Sequence, residues 1–405
     1  MAVHTDVRST RTGREERRQR AVEALGLTEN VREERFDRIT RLARALFDVD
    51  ASTVTVLDRD RAIYPGAAGY DGTPLPRQET LCDRATSEES LLVVPDATQD
   101  PRFDSLDIVT SGVISFYVGA PLRDGAGNVV GVLCAFDSAA KMPSPTQLKA
   151  FEDLAVWAQQ ELVGHAERRG ARQVQTSLLP DRPLELDGWD VAGLCLPALA
   201  VGGDFYDYGV SHGVLHLGLG DVMGKGTGAA LLGAGVRAAI RATHQEVVAG
   251  GDLGRSATRV ARGLGADLER SGSFATVFEA AVDLCDGTVR SVDAGLGLVL
   301  VVRADGSCER QVGRGRPFGV LPDDTWEQQT FHLEPGDRLV VFSDGLLDLV
   351  DDQLRWWEPV GAMVGEAADT ASLLAHVSAL AAAHTALDDV TVLVVHRHAG
   401  AQGAA

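Results

Sequence analysis

Apolar positions along this chain repeat with two periods, and the switch between them marks out its elements. Phe36, Ile39, Leu42, Ala43 and Leu46 fall at helical spacing and predict a helix over residues 33–47. A charged arm within residues 1–30 leads into a shorter helix over 16–25. Strand-like apolar runs follow at 52–57, 91–94, 116–121 and Val129–Asp137. Between the last two runs, Asp124-Gly-Ala-Gly-Asn128 has the composition of a hairpin connection. A helix from Pro145 onward closes a first α+β domain, set at residues 31–163. In it Leu148, Phe151, Ala155, Ala158 and Leu162 recur at spacings of three and four. That seam suits a helix packed on its own domain and a homodimer interface equally well, because it lasts only about two heptads.

A helical linker is expected over 164–180, with a short helix after Gly170 that ends at Leu178-Leu-Pro180. From Trp189 strand patterns dominate: 214–219, 274–283, 289–293, 297–302, Arg338–Phe342 and 390–396. Helical patterns are confined to 229–246, 253–268 and 371–384. Many strands with few helices predict a sheet-on-sheet domain covered by helices over 181–398, followed by a flexible Gly/Ala tail at 399–405.

Charge narrows the functional classes. The 405 residues carry a formal net charge of −20, which disfavours nonspecific binding to nucleic acid or to an anionic membrane surface. No apolar run approaches a membrane span, and the Arg/Glu-rich N-terminus lacks the apolar core of a secretory signal, so a cytoplasmic location is expected. Cys82, Cys134, Cys195, Cys285 and Cys308 are scattered without paired metal spacing and read as reduced, buried thiols.

The candidate chemistry lies in four aspartates: Asp204 in Val-Gly-Gly-Asp-Phe-Tyr-Asp, Asp221 in Gly-Asp-Val-Met-Gly-Lys-Gly, Asp344 in Phe-Ser-Asp-Gly, and Asp388 in Leu-Asp-Asp-Val-Thr. Each adjoins glycine or a strand end. Carboxylates converging from several strand ends suit hard divalent cations, which take oxygen ligands. Gly220–Gly228 also resembles a phosphate-binding loop, but Lys225 precedes Gly226 and Thr227 where a P-loop requires Gly-Lys-Ser/Thr.

Taken in order, Gln175–Pro180, Val201–Asp207, Gly220–Gly228, Phe274–Val277, Gly315–Val320, Phe342–Leu346 and Asp388–Thr391 resemble the SpoIIE/RsbU-like branch of the PPM-type (type 2C) serine/threonine protein phosphatases. The resemblance implies an αββα sandwich holding two Mn²⁺ or Mg²⁺ ions. In it Asp221 would bridge the metals, Asp344 and Asp388 would complete one, and Asp204 with the Val222 carbonyl would serve the other. It further implies direct attack of metal-activated water on a phosphoserine or phosphothreonine of a STAS-type anti-sigma factor antagonist, with that partner acting in trans. Asp207 and Asp389 are candidate supporting carboxylates. The chain departs from the family at Asp293-Ala-Gly-Leu-Gly-Leu298, where Leu296 replaces the usual histidine, and at Asp348-Leu349, where the family has Glu-Ala. The first departure sustains an alternative reading, a noncatalytic pseudophosphatase scaffold.

The front half resembles a GAF sensor domain through Glu34–Asp37, Asp58–Arg61, Asp96–Phe103, Phe116–Leu122 and Gly131–Asp137. GAF domains bind small molecules or mediate dimers; the ligand here is unknown. No histidine lies between His4 and His165, which argues against His-ligated haem in this domain. Cys82, in Thr-Leu-Cys-Asp, lacks the neighbouring histidine of bilin-binding relatives.

Overall fold

In the computed structural model, residues 4–27, 30–87, 90–350, 353–384 and 386–400 are described, without the side chains of residues 4–12. The start of the N-terminal arm (1–3) and the end of the tail (401–405) lie outside them. The chain divides into two compact units, Met1–Arg169 and Gly170–Ala405.

The first unit runs α1 (His4–Leu25), α2 (Glu34–Phe47), β1 (Ala51–Leu57), β2 (Arg61–Ala68), β3 (Leu75–Pro76), α3 (Leu81–Ala85), β4 (Leu92–Val94), α4 (Asp107–Thr110), β5 (Phe116–Arg123), β6 (Val129–Asp137) and the start of α5 (Pro145–Leu178). Its six antiparallel strands lie in the order β3-β2-β1-β6-β5-β4. One face packs α1, α2 and α5 around Phe36, Ile39, Phe47, Phe116 and Phe151. The other is closed by Leu81, Phe103, Ile114 and Tyr117.

Two expectations are corrected here, and one open choice is narrowed. The helix foreseen at 16–25 begins at His4, because a run of Arg and Glu is as compatible with a solvated helix as with an arm. Gly170 starts no new helix: α5 continues through it to Leu178, as one interior glycine costs only about 1 kcal/mol. Phe151, Ala155, Ala158 and Leu162 are all buried in the first unit's own core, which agrees with the first of the two readings of the seam, a helix packed on its own domain.

The second unit contains β7 (Leu184–Leu186), β8 (Trp189–Leu196), β9 (Phe205–Ser211), β10 (Val214–Val222), α6 (Thr227–Arg241), α7 (His244–Val248), α8 (Leu253–Ser271), β11 (Ala275–Asp283), β12 (Thr288–Ala294), β13 (Val299–Val302), β14 (Cys308–Arg310), β15 (Gln329–His332), β16 (Arg338–Phe342), α9 (Trp357–Glu366), α10 (Thr370–Ala383) and β17 (Val390–Arg397). A five-stranded sheet, β15-β12-β11-β10-β9, faces a six-stranded one, β14-β13-β16-β17-β8-β7. Between them Trp189, Leu217, Phe278, Val301, Val341 and Leu393 interlock. Helices α6 and α8 cover the outside of the first sheet, and α9 and α10 the outside of the second. These four layers are the αββα sandwich.

The helix foreseen over 229–246 is two elements, because the chain leaves α6 at Ala242 and restarts α7 at His244. Helix α9 was not foreseen. No helix among the described residues is long and apolar enough to cross a membrane. Cys285 and Cys308 are exposed, correcting the expectation that all the thiols are buried.

Candidate metal centre

Strand alternation explains how the aspartates gather. On β10 the odd positions Leu215, Leu217 and Leu219 point between the sheets, and Asp221 continues that row to the strand's end. Asp204 shares the inward side of β9 with Tyr206 and Tyr208. From the opposite sheet, Thr391 shares the inward side of β17 with Leu393 and Val395, while Asp344 opens the 3-10 turn Asp344–Leu349 after β16 and Asp388 lies in the loop before β17.

Burial grades across the group. Asp204 is 2% exposed, Asp221 is half-buried, and Asp344 lies at the surface. Burial, followed by the charge of Asp221, holds the Asp204 carboxyl well above the usual range. Burial and then the Asp344 charge raise Asp221 to about 6. Asp344 is raised too, by burial and then by Asp388. Among the described residues no ion pair joins Asp204, Asp221 or Asp344 to a base. Asp388 alone is paired, with Lys225 Nζ 3.1 Å from its Oδ2. Carboxylates graded from buried Asp204 to exposed Asp344, these three raised by burial and then by neighbouring carboxylate charge, fit divalent cations, which would offset the charge that their own side chains leave unbalanced.

The backbone around these groups admits almost no substitution. A Cβ on Gly203 would lie 2.4 Å from the Val222 carbonyl oxygen and 3.3 Å from Asp221 Oδ1. One on Gly202 would overlap the Asp389 carboxylate. The paired glycines therefore bring the Asp204 strand up against Asp221 and the Val222 carbonyl, as a site using both would need. Gly224 and Gly226 turn the chain with φ of 113° and 76°, carrying Lys225 over to Asp388.

The supporting carboxylates differ. Asp389 accepts from the amides of Ala198 and Gly203, both at 2.8 Å, and so fixes the loop before Asp204. Asp207 faces the other way, across to α6, where Arg237 and Arg241 donate to it at 3.1 and 2.7 Å. It clamps a helix to the sheet, away from the aspartate group. Several contributors escaped sequence reasoning. Thr391 donates to Asp204 Oδ2 at 2.5 Å, Ser343 accepts from the Thr391 amide at 2.9 Å, and Gln175 bonds both the N–H and the carbonyl of Gly202. Thr391 directly follows the Asp-Asp-Val run, which was the available signal.

Leu296, in place of histidine, packs between the sheets at 9% exposure. Its turn is closed by Asp293, whose carboxylate accepts from the amides of Leu296 and Gly297. In the first unit, Cys82 and Cys134 lie 3.6 Å apart beside a cavity of about 70 Å³ lined by Tyr64, Tyr70 and Tyr117. That volume is well below that of ordinary small-molecule sites.

The profile of the GAF domain matches residues 31–162, and that of the family described as Stage II sporulation protein E (SpoIIE) matches 211–398. Asp221, Asp344 and Asp388 fall inside the second match; Asp204 precedes it. Among curated proteins, the chain is 26% identical over 210 residues to Protein IcfG of Synechocystis (46% of this chain, 33% of that protein). It is 34% identical over 130 residues to a cyclic di-GMP phosphodiesterase of Pseudomonas aeruginosa (32% and 22%). It is 25% identical over 179 residues to the phosphoserine phosphatase RsbU of Bacillus subtilis (44% and 52%). The chain thus spans between about a fifth and about half of these relatives' own lengths.

Proposed function

We propose that this chain, a GAF domain followed by a SpoIIE-type PPM domain, is a divalent-metal-dependent serine/threonine phosphoprotein phosphatase. Its proposed substrate is the phosphorylated form of a STAS-type anti-sigma factor antagonist, and its GAF domain regulates the activity. The observation that carries the reading is the placement of Asp204, Asp221, Asp344 and Asp388 at one end of the two sheets, where burial and neighbouring carboxylates raise the first three and, among the described residues, only Asp388 is paired with a base. These four carboxylates and the Val222 carbonyl would hold two Mn²⁺ or Mg²⁺ ions. Such ions supply an activated water and neutralise charge on the phosphoryl oxygens.

The chain's own residues do the positioning. Thr391 orients Asp204, Asp389 fixes the Gly202–Gly203 backbone, and Gly203 allows Asp221 and the Val222 carbonyl to share one edge of the site. Lys225, on its glycine-flanked turn, is a cation within reach of the same edge and suits a phosphoryl group. RsbU, by its name, acts on phosphoserine, which supports the substrate class.

Leu296 in the position of the family's histidine favours a second reading, a noncatalytic scaffold. Phosphate release from an aryl phosphate and from a phosphoserine peptide, with Mn²⁺ or with chelator, separates the two. Release that needs the metal and is lost in Asp221→Asn is the expected result. No release from the wild type with any divalent metal would leave the scaffold.

A further inference from the structure

Val390, Val392 and Val394 point to the helix-covered face of the six-stranded sheet, and His396 continues that row at the far end of β17. Asp190 on β8 is its direct partner in the antiparallel register, which places the two Cβ atoms about 5 Å apart. His398 lies two residues on, and its amide donates to the Gly188 carbonyl at 2.9 Å, keeping it beside β8. One ligand atom from each of Asp190, His396 and His398 lies within 4.8 Å of the other two. Asp190 Oδ2 and His398 Nε2 are 2.9 Å apart. His396 Nδ1 is buried and has no hydrogen-bond partner. A plain Asp–His hydrogen bond would explain His398 but leaves this second imidazole nitrogen without a role.

We propose that Asp190, His396 and His398 form a second metal site, for zinc or a neighbouring divalent transition ion, at the opposite end of the sheet from the four aspartates. Six strand steps run from Val390, just after the Asp388 loop, to His396, roughly 20 Å, so the two sites share no ligand. They also differ in chemistry. An all-oxygen set suits Mg²⁺ and Mn²⁺, whereas two imidazoles and a carboxylate favour Zn²⁺. A tetrahedral zinc ion needs ligand atoms roughly 3.4 Å apart, which modest side-chain rotations would reach, and three protein ligands leave a fourth position for water.

The scaffold around the group is firm. Arg397, between the two histidines, bonds the carbonyls of Asp286 and Leu333, and its guanidinium lies over Trp189. Arg338, opposite His396 on β16, is the opposing positive charge; its guanidinium donates to the carbonyls of Val364, Ala367 and Ala368 at the end of α9. A bound ion would clip the end of β17 to β8.

The test takes the full chain, stripped with chelator and titrated calorimetrically with Zn²⁺ in excess Mg²⁺. Asp221→Asn and the double variant His396→Gln/His398→Gln are run beside it. One zinc equivalent should persist in Asp221→Asn and vanish in the double variant, and Asp190→Asn should weaken it by about tenfold or more. Co²⁺ in place of zinc should give visible ligand-field bands without the thiolate charge-transfer absorption that Cys285 or Cys308 would add. Equal zinc uptake by wild type and double variant, no uptake at all, or uptake lost with Asp221→Asn overturns the proposal. Circular dichroism of the zinc-free proteins checks folding; if the double variant misfolds, His398→Gln alone, at a half-exposed strand end, should show the same loss.

Discussion

Glu279→Gln should stabilise the second unit, by an amount that grows with pH. Glu279 sits on β11 opposite Gly218, on the face covered by α6 and α8. It is 3% exposed, and its Oε1 has no hydrogen-bond partner. Burial alone pushes its carboxyl from 4.5 up to about 8. Between these two values the folded chain holds a proton that the unfolded chain has released. Stability is therefore fully present below 4.5 and is lost as pH rises through 8. The full gap corresponds to about 5 kcal/mol. Glutamine has the same shape and never ionises. Its advantage over the wild type should be about 1 kcal/mol at pH 5.5, about 3 at pH 7, and about 5 at pH 8.5. Urea unfolding of both full-length proteins at these three pH values measures it, followed by tryptophan fluorescence; Trp189, Trp326, Trp356 and Trp357 all report on this unit. A stability difference independent of pH, or a wild type that gains on the variant as pH rises, would refute the reasoning.

Thr391→Val removes the hydroxyl that holds Asp204, and the Mn²⁺ concentration giving half-maximal phosphate release should rise roughly 10–100-fold; an unchanged metal titration would count against that role. Gly203→Ala should abolish metal-dependent turnover with the circular dichroism spectrum unchanged, since its Cβ would press on the Val222 carbonyl. Asp207→Ala leaves Arg237, whose side chain is 11% exposed, without its carboxylate; urea titration should show a loss of about 3–5 kcal/mol.

Sequence pattern revealed the elements whose burial is simple. The apolar runs Val129–Asp137 and Arg338–Phe342 form strands with those same limits because both are buried over most of their length. Strand β2 was missed because Pro65 and Gly66 interrupt its pattern. There the fold needs the glycine, since a Cβ would meet the Phe36 side chain at 2.5 Å. Helix α9 was missed because Pro359 and Gly361 disguise it; the proline sits in its first turn, where no intrahelical amide is lost. Asp204, Asp221 and Asp344 stood out because close backbone approach requires glycine beside them, and Asp388 because it sits just before an apolar strand. What joins residues distant in sequence did not stand out: Arg237 and Arg241 reach Asp207 from thirty or more residues away, and strand register alone sets Asp190 beside His396.

The parity of β17 has an evolutionary consequence. Its odd positions serve the space between the sheets, ending beside Asp389 and Thr391, while its even positions serve the helices and lead to His396. Deleting or inserting one residue anywhere in Val390–Arg397 would exchange those two allegiances for every position beyond it. Among descendants of this chain, residue identities in this octet are free to drift within their size and polarity. Its residue count is not, and gaps between Asp388 and His398 should be the rarest in the domain.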